Sequence, residues 1–351
     1  MSSSFMIGSR WVGLDHPPLV IAEMSGNHNQ SLERALQLVD AAADAGAHAL
    51  KLQTYTADTI TLRQSGGDFQ IKDSTSLWAG QNLHDLYTKA HTPWDWHQPI
   101  MERAVERGML FFSSPFDETA VDFLCDLNVP AFKIASFENN HLPLIRKAAS
   151  TGKPLIISTG MASLADLERA VTTAREAGCE DLILLKCTST YPATPQNTNI
   201  RTIPHLRDLF GVQVGLSDHT MGVGVAVASV ALGATVVEKH FTLSRADGGV
   251  DSAFSLEPQE LSSLVTETER AWQAMGDVRY GPSEDEKKSL IFRRSIYVAE
   301  DIAAGEIFSE SNLRIVRPGH GAPPWLINKL LGQTARRDYK AGTALSFDEL
   351  L

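Results

Sequence analysis

The chain has 351 residues, of which 43% are hydrophobic and 21% are charged, and its formal net charge is −11. This composition is typical of a globular protein and excludes a disordered chain, a collagen-like repeat and a disulfide scaffold. The acidic balance argues against nucleic-acid binding, which needs a clustered basic surface. A small anionic substrate is compatible with it if a local group of cations binds that substrate.

Cysteine usage and the N-terminal residues predict a cytoplasmic protein that does not enter a membrane. Cys125, Cys179 and Cys187 show no CxxC spacing, which favours free thiols in a reducing compartment. The first residues lack the basic and apolar segments of a signal peptide. Residues 221–237 carry no charge, but their small and β-branched side chains predict a buried helix followed by a buried strand, not a membrane span.

A pattern of a short apolar run, a turn and an amphipathic stretch repeats from about residue 19 to residue 275. The apolar runs are 19–23, 48–53, 109–113, 131–135, 154–158, 181–186, 212–217 and 235–240. They are nearly continuous in hydrophobicity, as buried parallel strands are. Eight strands alternating with helices predict a closed (β/α)₈ TIM barrel. A doubly wound open sheet is the alternative, but no GxGxxG turn follows the first run.

Three regions are predicted along the chain. They are a catalytic barrel domain over 1–276, a polar linker over 277–289 and a small, mostly β domain over 290–351. Within the barrel domain, the segment 54–99 separates the second and third strands and carries three tryptophans. An insertion of that size predicts a lid or a pocket wall.

Polar and ionisable residues recur where the predicted strands end. Active sites of parallel barrels lie at these carboxyl ends, so the recurrence on eight strands predicts a single site. The residues are Glu23, Lys51, Gln53, Ser113, Ser114, Lys133, Ser136, Ser158, Lys186, Ser217, Asp218, His219, Glu238, Lys239 and His240.

His219 and His240 follow consecutive predicted strands, which predicts that the two imidazoles converge. Two neutral imidazoles with open positions suit a divalent Lewis acid, Mn²⁺ first and Mg²⁺ or Co²⁺ as alternatives. Asp218 and Glu238 would orient the imidazoles or cap helices. The alternative is that both histidines are structural. Cys187 is expected to pack, because the sequence shows no base partner for it.

Lys51 and Lys133 lie on predicted strands, where a buried ammonium is costly unless an anion meets it. They would form a cradle for a phosphate or a carboxylate, together with the hydroxyls of Ser136, Ser158 and Ser217. One alternative is a structural lysine–carboxylate pair across the barrel. Another is a Schiff-base lysine at Lys51, Lys133 or Lys186.

As a set, the motifs resemble the N-acylneuraminate synthase family, whose members condense phosphoenolpyruvate with an amino sugar. The matching segments are Ile21-Ala-Glu23, Gly26-Asn-His28, Lys51-Leu-Gln53, Phe112-Ser-Ser-Pro-Phe116, Phe132-Lys-Ile-Ala-Ser136, Ser158-Thr-Gly-Met161, Cys187-Thr-Ser-Thr-Tyr-Pro192, Gly215-Leu-Ser-Asp-His-Thr220 and Glu238-Lys-His-Phe241. Arg317-Pro-Gly-His-Gly321 looks like the signature of the antifreeze-like (SAF) domain that follows the barrel in this family.

The resemblance implies a role for each matching residue. Glu23, His219 and His240 would be catalytic, and the two histidines would hold the metal. The residues implied to bind phosphoenolpyruvate are Lys51, Ser114, Lys133, Ser136, Ser158, Ser189 and Ser217. Those implied to contact the acetamido sugar are Glu23, Gln53, Tyr191 and Asp251. Arg317 would reach the sugar pocket of a neighbouring subunit, which implies a domain-swapped homodimer.

Within the family, three segments resemble the branch that uses 2,4-diacetamido-2,4,6-trideoxy-L-altrose as the acceptor. They are Ser136-Phe-Glu138, the segment 248–256 and the segment that begins at Arg317. A branch that uses N-acetylmannosamine or a related sugar is the alternative. A Schiff-base pyruvate aldolase and a non-enzymatic carbohydrate-binding protein are the hypotheses from other classes.

Overall fold

The chain forms two compact units, Met1–Gly276 and Asp277–Leu351, in a computed structural model that describes residues 4–346. The segment 277–289, predicted as a linker, belongs to the second unit and contains a short helix over Glu284–Lys287.

The first unit opens with an antiparallel hairpin, β1 (Phe5–Ile7) and β2 (Arg10–Val12), which buries Ile7 and Val12 in the core. Eight parallel strands follow and close into a barrel in sequential order, so the predicted (β/α)₈ barrel is confirmed and the open sheet is excluded. The barrel strands are β3 (Leu19–Glu23), β4 (Ala49–Thr54), β5 (Leu110–Pro115), β6 (Phe132–Ile134), β7 (Leu155–Ser158), β8 (Leu182–Cys187), β9 (Gln213–Asp218) and β10 (Val236–His240). Nearly every strand residue is buried, which explains the continuous apolar runs.

Helices connect the strands and cover the outside of the barrel. They are α1 (Leu32–Asp44), α2 (Ala57–Ile60), α3 (Leu83–Ala90), α4 (His97–Glu106), α5 (Glu118–Asp126), α6 (Leu142–Ala149), α7 (Leu164–Glu176), α8 (Thr202–Phe210), α9 (Gly224–Ala231) and α10 (Pro258–Met275). Helix α1 begins where the Ser31 side chain accepts a hydrogen bond from the Arg34 amide, and the chain leaves it through Gly46 at φ +85°.

Two stretches that the sequence singled out have clear structures. The charge-free residues 221–237 form α9 and lead into β10, which confirms a helix followed by a strand. Across residues 4–346, the helices are all too short or too polar to cross a bilayer. The insertion between β4 and β5 contains α2, a 3₁₀ turn over Gly67–Phe69 and α3 before α4 begins.

The second unit has its own small core, built around Ile296, Val298 and Leu313. Its regular elements are α11 (Glu284–Lys287), β11 (Ser295–Val298), β12 (Leu313–Val316) and α12 (Ile327–Leu330). Strands β11 and β12 pair antiparallel, and isolated bridges such as Ile302 to Tyr339 extend the β character. The backbone pairing in this unit is β-type, as the prediction of a mostly β domain requires, but its regular strands are short.

Candidate active site

A cavity of about 460 Å³ opens at the carboxyl ends of the barrel strands. Of the residues in the first unit to which the family resemblance assigned a role, all but Ser114 and Ser189 line it. Those that line it are Glu23, Lys51, Gln53, Lys133, Ser136, Ser158, Tyr191, Ser217, His219, His240 and Asp251. The sequence prediction that strand ends would converge on one site agrees with this placement.

Strand pairing explains which side chains enter the cavity. Cys187, Ser217 and Glu238 are direct neighbours across β8, β9 and β10, and all three line the cavity. Because successive strand residues point to opposite faces, the residues next to them point outward. Lys186 accordingly lines a separate outer groove, where its Nζ donates to the Cys187 carbonyl at 2.8 Å. Lys186 is therefore in the wrong place for a Schiff-base lysine in this site.

Three other strand-end residues, Ser113, Asp218 and Lys239, also lie outside the cavity. Asp218 pairs with Lys239, both buried, so its predicted role beside the imidazoles is wrong, whereas Glu238 does face the site. Ser113 shares a 2.7 Å hydrogen bond with Thr54, whose hydroxyl also contacts His97 of α4. That network joins the barrel to its outer helix layer.

A buried network of two lysines and two carboxylates forms the floor of the cavity. Lys51 Nζ lies 2.5 Å from Glu23 Oε2 and 4.0 Å from Glu238 Oε2. Lys133 Nζ lies 3.7 Å from Glu238 Oε1. The predicted lysine–carboxylate pairing across the barrel is thus present, and it lies inside the cavity. The two lysines are therefore both paired with carboxylates and part of the cavity lining.

Hydroxyl and amide groups complete this network. Lys133 Nζ donates to Ser158 Oγ at 2.7 Å, and Lys51 Nζ donates to Ser114 Oγ at 3.1 Å. Gln53 Nε2 donates to Glu23 Oε1 at 2.9 Å. Ser114 therefore contacts Lys51 by a hydrogen bond although it does not itself line the cavity.

The charges in this network shift one another's pKa values. Burial raises the pKa of Glu23 above its ordinary value despite the opposing charge of Lys51. Burial also acts on Glu238, but Lys133 and Lys51 outweigh it and lower the pKa of that carboxyl. Burial lowers the pKa of Lys133, whereas Glu23 and Glu238 overcome burial and raise the pKa of Lys51. Lys51 is therefore held as an ammonium.

The imidazoles of His219 and His240 face each other across the site, with ring centroids 5.3 Å apart. His219 Nδ1 lies 2.9 Å from the Thr188 carbonyl oxygen, so Nδ1 carries a proton, and Nε2 is the ring nitrogen that can bind a cation when the imidazole is neutral. Burial, then the nearby His219 and Lys51, hold the pKa of His240 well below 6.5, so this ring is neutral at pH 7.

The pair fits a divalent cation chemically. The buried Nδ1 of His240 has no hydrogen-bond partner and lies 3.9 Å from Asp251 Oδ2. A backbone carbonyl that fixes one ring tautomer is the usual outer-shell partner of a ligating histidine. Within residues 4–346, no group of three or more His, Cys, Asp or Glu side chains is arranged to hold a metal. The metal therefore stays a prediction, in which water and substrate would supply the remaining ligands.

A backbone cradle formed by Gly160 lies between the side chains of Ser136 and Ser189. The Gly160 amide donates to Ser136 Oγ at 3.2 Å, and Asn139 Nδ2 donates to the Gly160 carbonyl at 2.9 Å. A Cβ at Gly160 would lie 2.6 Å from Ser136 Oγ and 2.1 Å from Ser189 Oγ. Only glycine fits between these two serine side chains.

Sequence reasoning did not select several residues that shape the cavity. Glu138 lines it with a buried Oε2 that has no hydrogen-bond partner, and burial raises the pKa of this carboxyl to about 7. Ser25 also lines it and donates to Asp251. Glu138 lies two residues after Ser136 in a strand-end loop, and that position is the signal that would have identified it.

Cys187 lines the cavity as well, although the sequence assigned it to packing. Its Sγ lies 3.9 Å from His219 Nδ1, the neighbour that the sequence did not reveal. Burial raises the pKa of the thiol, but His219, Ser136 and Lys133 together lower it to about 7. Cys125, Cys179 and Cys187 all carry free thiols, as predicted.

An aromatic wall stands beside the imidazoles. The Tyr191 ring lies 4.5 Å from the His219 ring and 5.7 Å from the Trp78 ring. Phe254 supports His240 from a centroid distance of 4.9 Å. Trp78 comes from the insertion between β4 and β5, so the prediction that this insertion forms a pocket wall agrees with the structure. Arg317 is solvent-exposed in the second unit, after β12.

The closed barrel and the cavity at its strand ends define a TIM-barrel protein, and sequence similarity assigns the family. The NeuB family profile matches residues 38–280, and the SAF domain profile matches residues 293–351. The chain belongs to the NeuB family, which confirms the predicted family and the C-terminal SAF domain.

Named relatives and solved structures agree with this assignment. A pseudaminic acid synthase of Campylobacter jejuni is 44% identical over 94% of this chain and 96% of the relative. A pseudaminic acid synthase of Helicobacter pylori is 40% identical over 95% and 98%. The crystal structure of a sialic acid synthetase from Leptospira borgpetersenii superposes with a TM-score of 0.72 at 32% identity, over 83% of this chain and 96% of that one.

Proposed function

We propose that this chain condenses phosphoenolpyruvate with 2,4-diacetamido-2,4,6-trideoxy-L-altrose and water, releasing phosphate and forming pseudaminic acid. Relatives named pseudaminic acid synthase match nearly the whole chain. The observation that carries the reaction type is the placement of Lys51, Lys133 and the facing imidazoles of His219 and His240 in one cavity. An N-acetylneuraminate or legionaminate synthase is the alternative, since a legionaminic acid synthase is 39% identical.

The floor of the cavity would bind phosphoenolpyruvate. Its phosphate and carboxylate need cations, and Lys51 and Lys133 are the buried ammonium groups available there. Hydroxyl donors such as Ser136 and Ser158 would fix the orientation of the two anionic groups. Phosphoenolpyruvate would compete with Glu23 and Glu238 for these lysines, so its arrival would loosen the existing ion pairs.

The reaction forms one carbon–carbon bond and one carbon–oxygen bond from water, and it breaks the carbon–oxygen bond to phosphate. C3 of phosphoenolpyruvate attacks the C1 aldehyde of the open-chain sugar, and the aldehyde oxygen takes up a proton to become a hydroxyl. Water adds at C2, the C2–O bond to phosphate breaks, and the added oxygen becomes the C2 carbonyl; of its two protons, one balances the proton taken up by the aldehyde oxygen and the other leaves with the phosphate. Glu138, whose carboxyl has a pKa of about 7, would hold at Oε2 a proton that it can give or take during these steps.

His219 and His240 would hold a divalent cation, Mn²⁺ first and Mg²⁺ or Co²⁺ as alternatives. The orphaned Nδ1 of His240 and the fixed tautomer of His219 support this proposal. When bound, such a cation supplies polarisation of the aldehyde carbonyl. Asp251 and Tyr191 pack around the imidazoles and would orient the sugar next to them.

The Schiff-base aldolase alternative loses two of its three lysines. Lys186 lies outside the cavity, and Lys51 is held as an ammonium by Glu23 and Glu238. Only Lys133, whose pKa burial lowers, fits that chemistry. Borohydride trapping with pyruvate would leave an adduct on Lys133 if the alternative were correct. The names of the synthase relatives likewise disfavour a non-catalytic carbohydrate-binding protein.

We also propose a domain-swapped homodimer in which Arg317 of each copy completes the other copy's sugar pocket. Apolar side chains in the segments that follow the barrel strands are exposed, namely Phe137, Met161 and Met221, and so is Leu164 at the start of α7. Such a rim around a substrate cavity is typical of a protein interface. The proposed compartment is the cytoplasm, which the three free thiols support.

The decisive experiment is a phosphate-release assay with phosphoenolpyruvate and purified acetamido sugars, coupled to mass analysis of the product. We expect phosphate and a nine-carbon 2-keto acid with the diacetamido sugar, and weaker turnover with N-acetylmannosamine. If neither sugar led to phosphate release, the proposed function would be contradicted. Higher kcat/KM for N-acetylmannosamine would replace the proposed acceptor with the alternative one.

A further inference from the structure

The cavity has two chemically different walls. The barrel strands supply its charged groups, including Glu23, Lys51 and Lys133. The insertion between β4 and β5 supplies a wall without charge. We name this apolar wall by its members that line the cavity, which are Tyr55, Ile60, Ile71, Ser76, Trp78, Leu83, Leu86, Tyr87 and Ala90.

The insertion turns many of its apolar side chains toward the cavity even though its sequence is polar. Its charged residues are Asp58, Arg63, Asp68, Lys72, Asp73, Asp85, Lys89 and Asp95, and none of them lines the cavity. Helix α3 shows the sorting most clearly, because Leu83, Leu86, Tyr87 and Ala90 follow the spacing of one helical face and all line the cavity. Its charged residues Asp85 and Lys89 are exposed on the other face.

The apolar wall is fixed at both ends. Trp78 Nε1 donates to the Val250 carbonyl at 3.0 Å, which ties the insertion to the loop after β10. Tyr55 packs its ring 5.8 Å from Tyr87 and 5.0 Å from Phe116. These contacts hold the wall as part of the cavity.

The apolar wall also has a defined position relative to the chemistry. Trp78 contacts Tyr191, and Tyr191 contacts His219, so the wall begins one aromatic ring away from the imidazole pair. A sugar whose C1 lies at the imidazoles would therefore extend its far end along the wall. A hydroxyl placed there would lose its water partners and meet hydrocarbon instead.

We propose that the apolar wall selects an acceptor whose terminal carbon carries no hydroxyl, by packing against the C6 methyl group of a 6-deoxy sugar. This inference rests on the proposed function, and it assigns the choice of acceptor to the insertion instead of the barrel strands. The side chains that would contact the methyl group are Ile60, Ile71, Leu83 and Leu86.

The test compares kcat/KM for 2,4-diacetamido-2,4,6-trideoxy-L-altrose with that for the same sugar carrying a C6 hydroxyl. We expect the wild type to prefer the 6-deoxy sugar by roughly 10- to 100-fold, the range that an apolar pocket gives against an added hydroxyl. Leu83→Gln should reduce this preference about 10-fold, because the amide offers the hydroxyl a partner. The KM for phosphoenolpyruvate should not change.

The insertion provides a matched control. Leu62 lies in the same segment, is 63% exposed and does not line the cavity, so Leu62→Gln should keep the wild-type preference. Ile71→Thr serves as a second variant if Leu83→Gln fails to fold. Equal use of both sugars by the wild type would overturn the inference, as would an unchanged preference in both cavity variants. Those results would leave the proposed condensation intact, whereas its failure would show as no phosphate release with any acetamido sugar.

Discussion

Lys239 and Asp218 form a buried ion pair, 2.9 Å from Nζ to Oδ2, on the outward face of the strands that carry the imidazoles. The same Nζ donates to the carbonyls of Thr220 at 2.6 Å and Gly222 at 2.8 Å. One ammonium thus fixes the turn that begins at His219. The position of that imidazole depends on a contact made outside the cavity.

Lys239→Met should destabilise the fold by about 3–5 kcal/mol, because it leaves the Asp218 carboxylate buried without its partner. Adding Asp218→Leu should recover most of the stability, since no buried charge is then left unpaired. The double variant should still have a kcat at least about 10-fold below wild type, because a small misplacement of a catalytic group is costly. Thermal unfolding and steady-state kinetics measure the two effects.

The control for this prediction is Lys153→Met. Lys153 Nζ also bonds a loop, donating to the Val129 carbonyl at 2.5 Å and to Asn128 Oδ1 at 2.8 Å, but it lies at the amino end of β7. We expect lower stability with an unchanged kcat. A double variant with wild-type kcat would contradict a role for Lys239 in positioning His219.

Gly160→Ala should raise the KM for phosphoenolpyruvate about 10-fold or more, because a methyl group would displace hydroxyls from the anion site. A Cβ there would lie within 2.6 Å of Ser136 Oγ and within 2.1 Å of Ser189 Oγ. Gly224 is the matched control, since a Cβ at Gly224 meets no atom within 4 Å and the position begins a helix. Gly224→Ala should leave the KM unchanged. Equal KM values for both variants would contradict a role for Gly160 in shaping the anion site.

Glu138→Gln should stabilise the protein relative to wild type as the pH rises. Burial raises the pKa of Glu138 to about 7, above its ordinary value, so the folded state holds this proton more tightly than the unfolded state. The stability from that proton is fully present below about pH 4.5 and is lost as the pH rises to about 7. The free energy of unfolding of Glu138→Gln minus that of wild type should increase by up to about 3 kcal/mol between pH 4.5 and pH 8.

Denaturant unfolding at several pH values measures this difference, and the unchanged background of other titrating groups cancels in it. Asp95→Asn is a control with another carboxyl, which lies in a 3₁₀ turn outside the cavity. A difference between Glu138→Gln and wild type that stays constant with pH would contradict a raised pKa at Glu138.

Removal of divalent metal with EDTA should abolish turnover, and Mn²⁺ should restore it. Mn²⁺ should also raise the Tm of EDTA-treated wild type, since a ligand at 100 times its Kd stabilises the native state by about 2.7 kcal/mol. His240→Ala should show no such rise, because one of the two imidazoles is lost. Turnover that EDTA does not affect would refute the metal proposal while leaving the condensation possible.

Arg317→Ala should lose affinity for the sugar and keep its affinity for phosphoenolpyruvate, if Arg317 completes a partner's pocket. Mixing Arg317→Ala with His240→Ala should then restore part of the activity, because one pocket of a mixed dimer receives both intact residues. The activity of the mixture is compared with that of each variant alone, after tagged copies confirm subunit exchange. No recovery would count against the swapped arrangement.

The sequence alone was sufficient to locate the barrel and its reactive end. Continuous apolar runs separated by amphipathic helices identified all eight barrel strands within one or two residues of their observed bounds. The strand ends of a parallel barrel meet at one face, so His219 and His240 were expected to converge, and their rings lie 5.3 Å apart.

Only the tertiary structure decided which neighbouring residues face the cavity. Both faces of a barrel strand are buried, so the sequence shows no polar side that would separate Glu238 from Lys239, or Cys187 from Lys186. The structure also placed Glu138 and the apolar wall, because loops and insertions fold against surfaces that distant parts of the chain provide. The local sequence pattern determines the helices and strands, whereas closure of the barrel determines which side chains face the cavity.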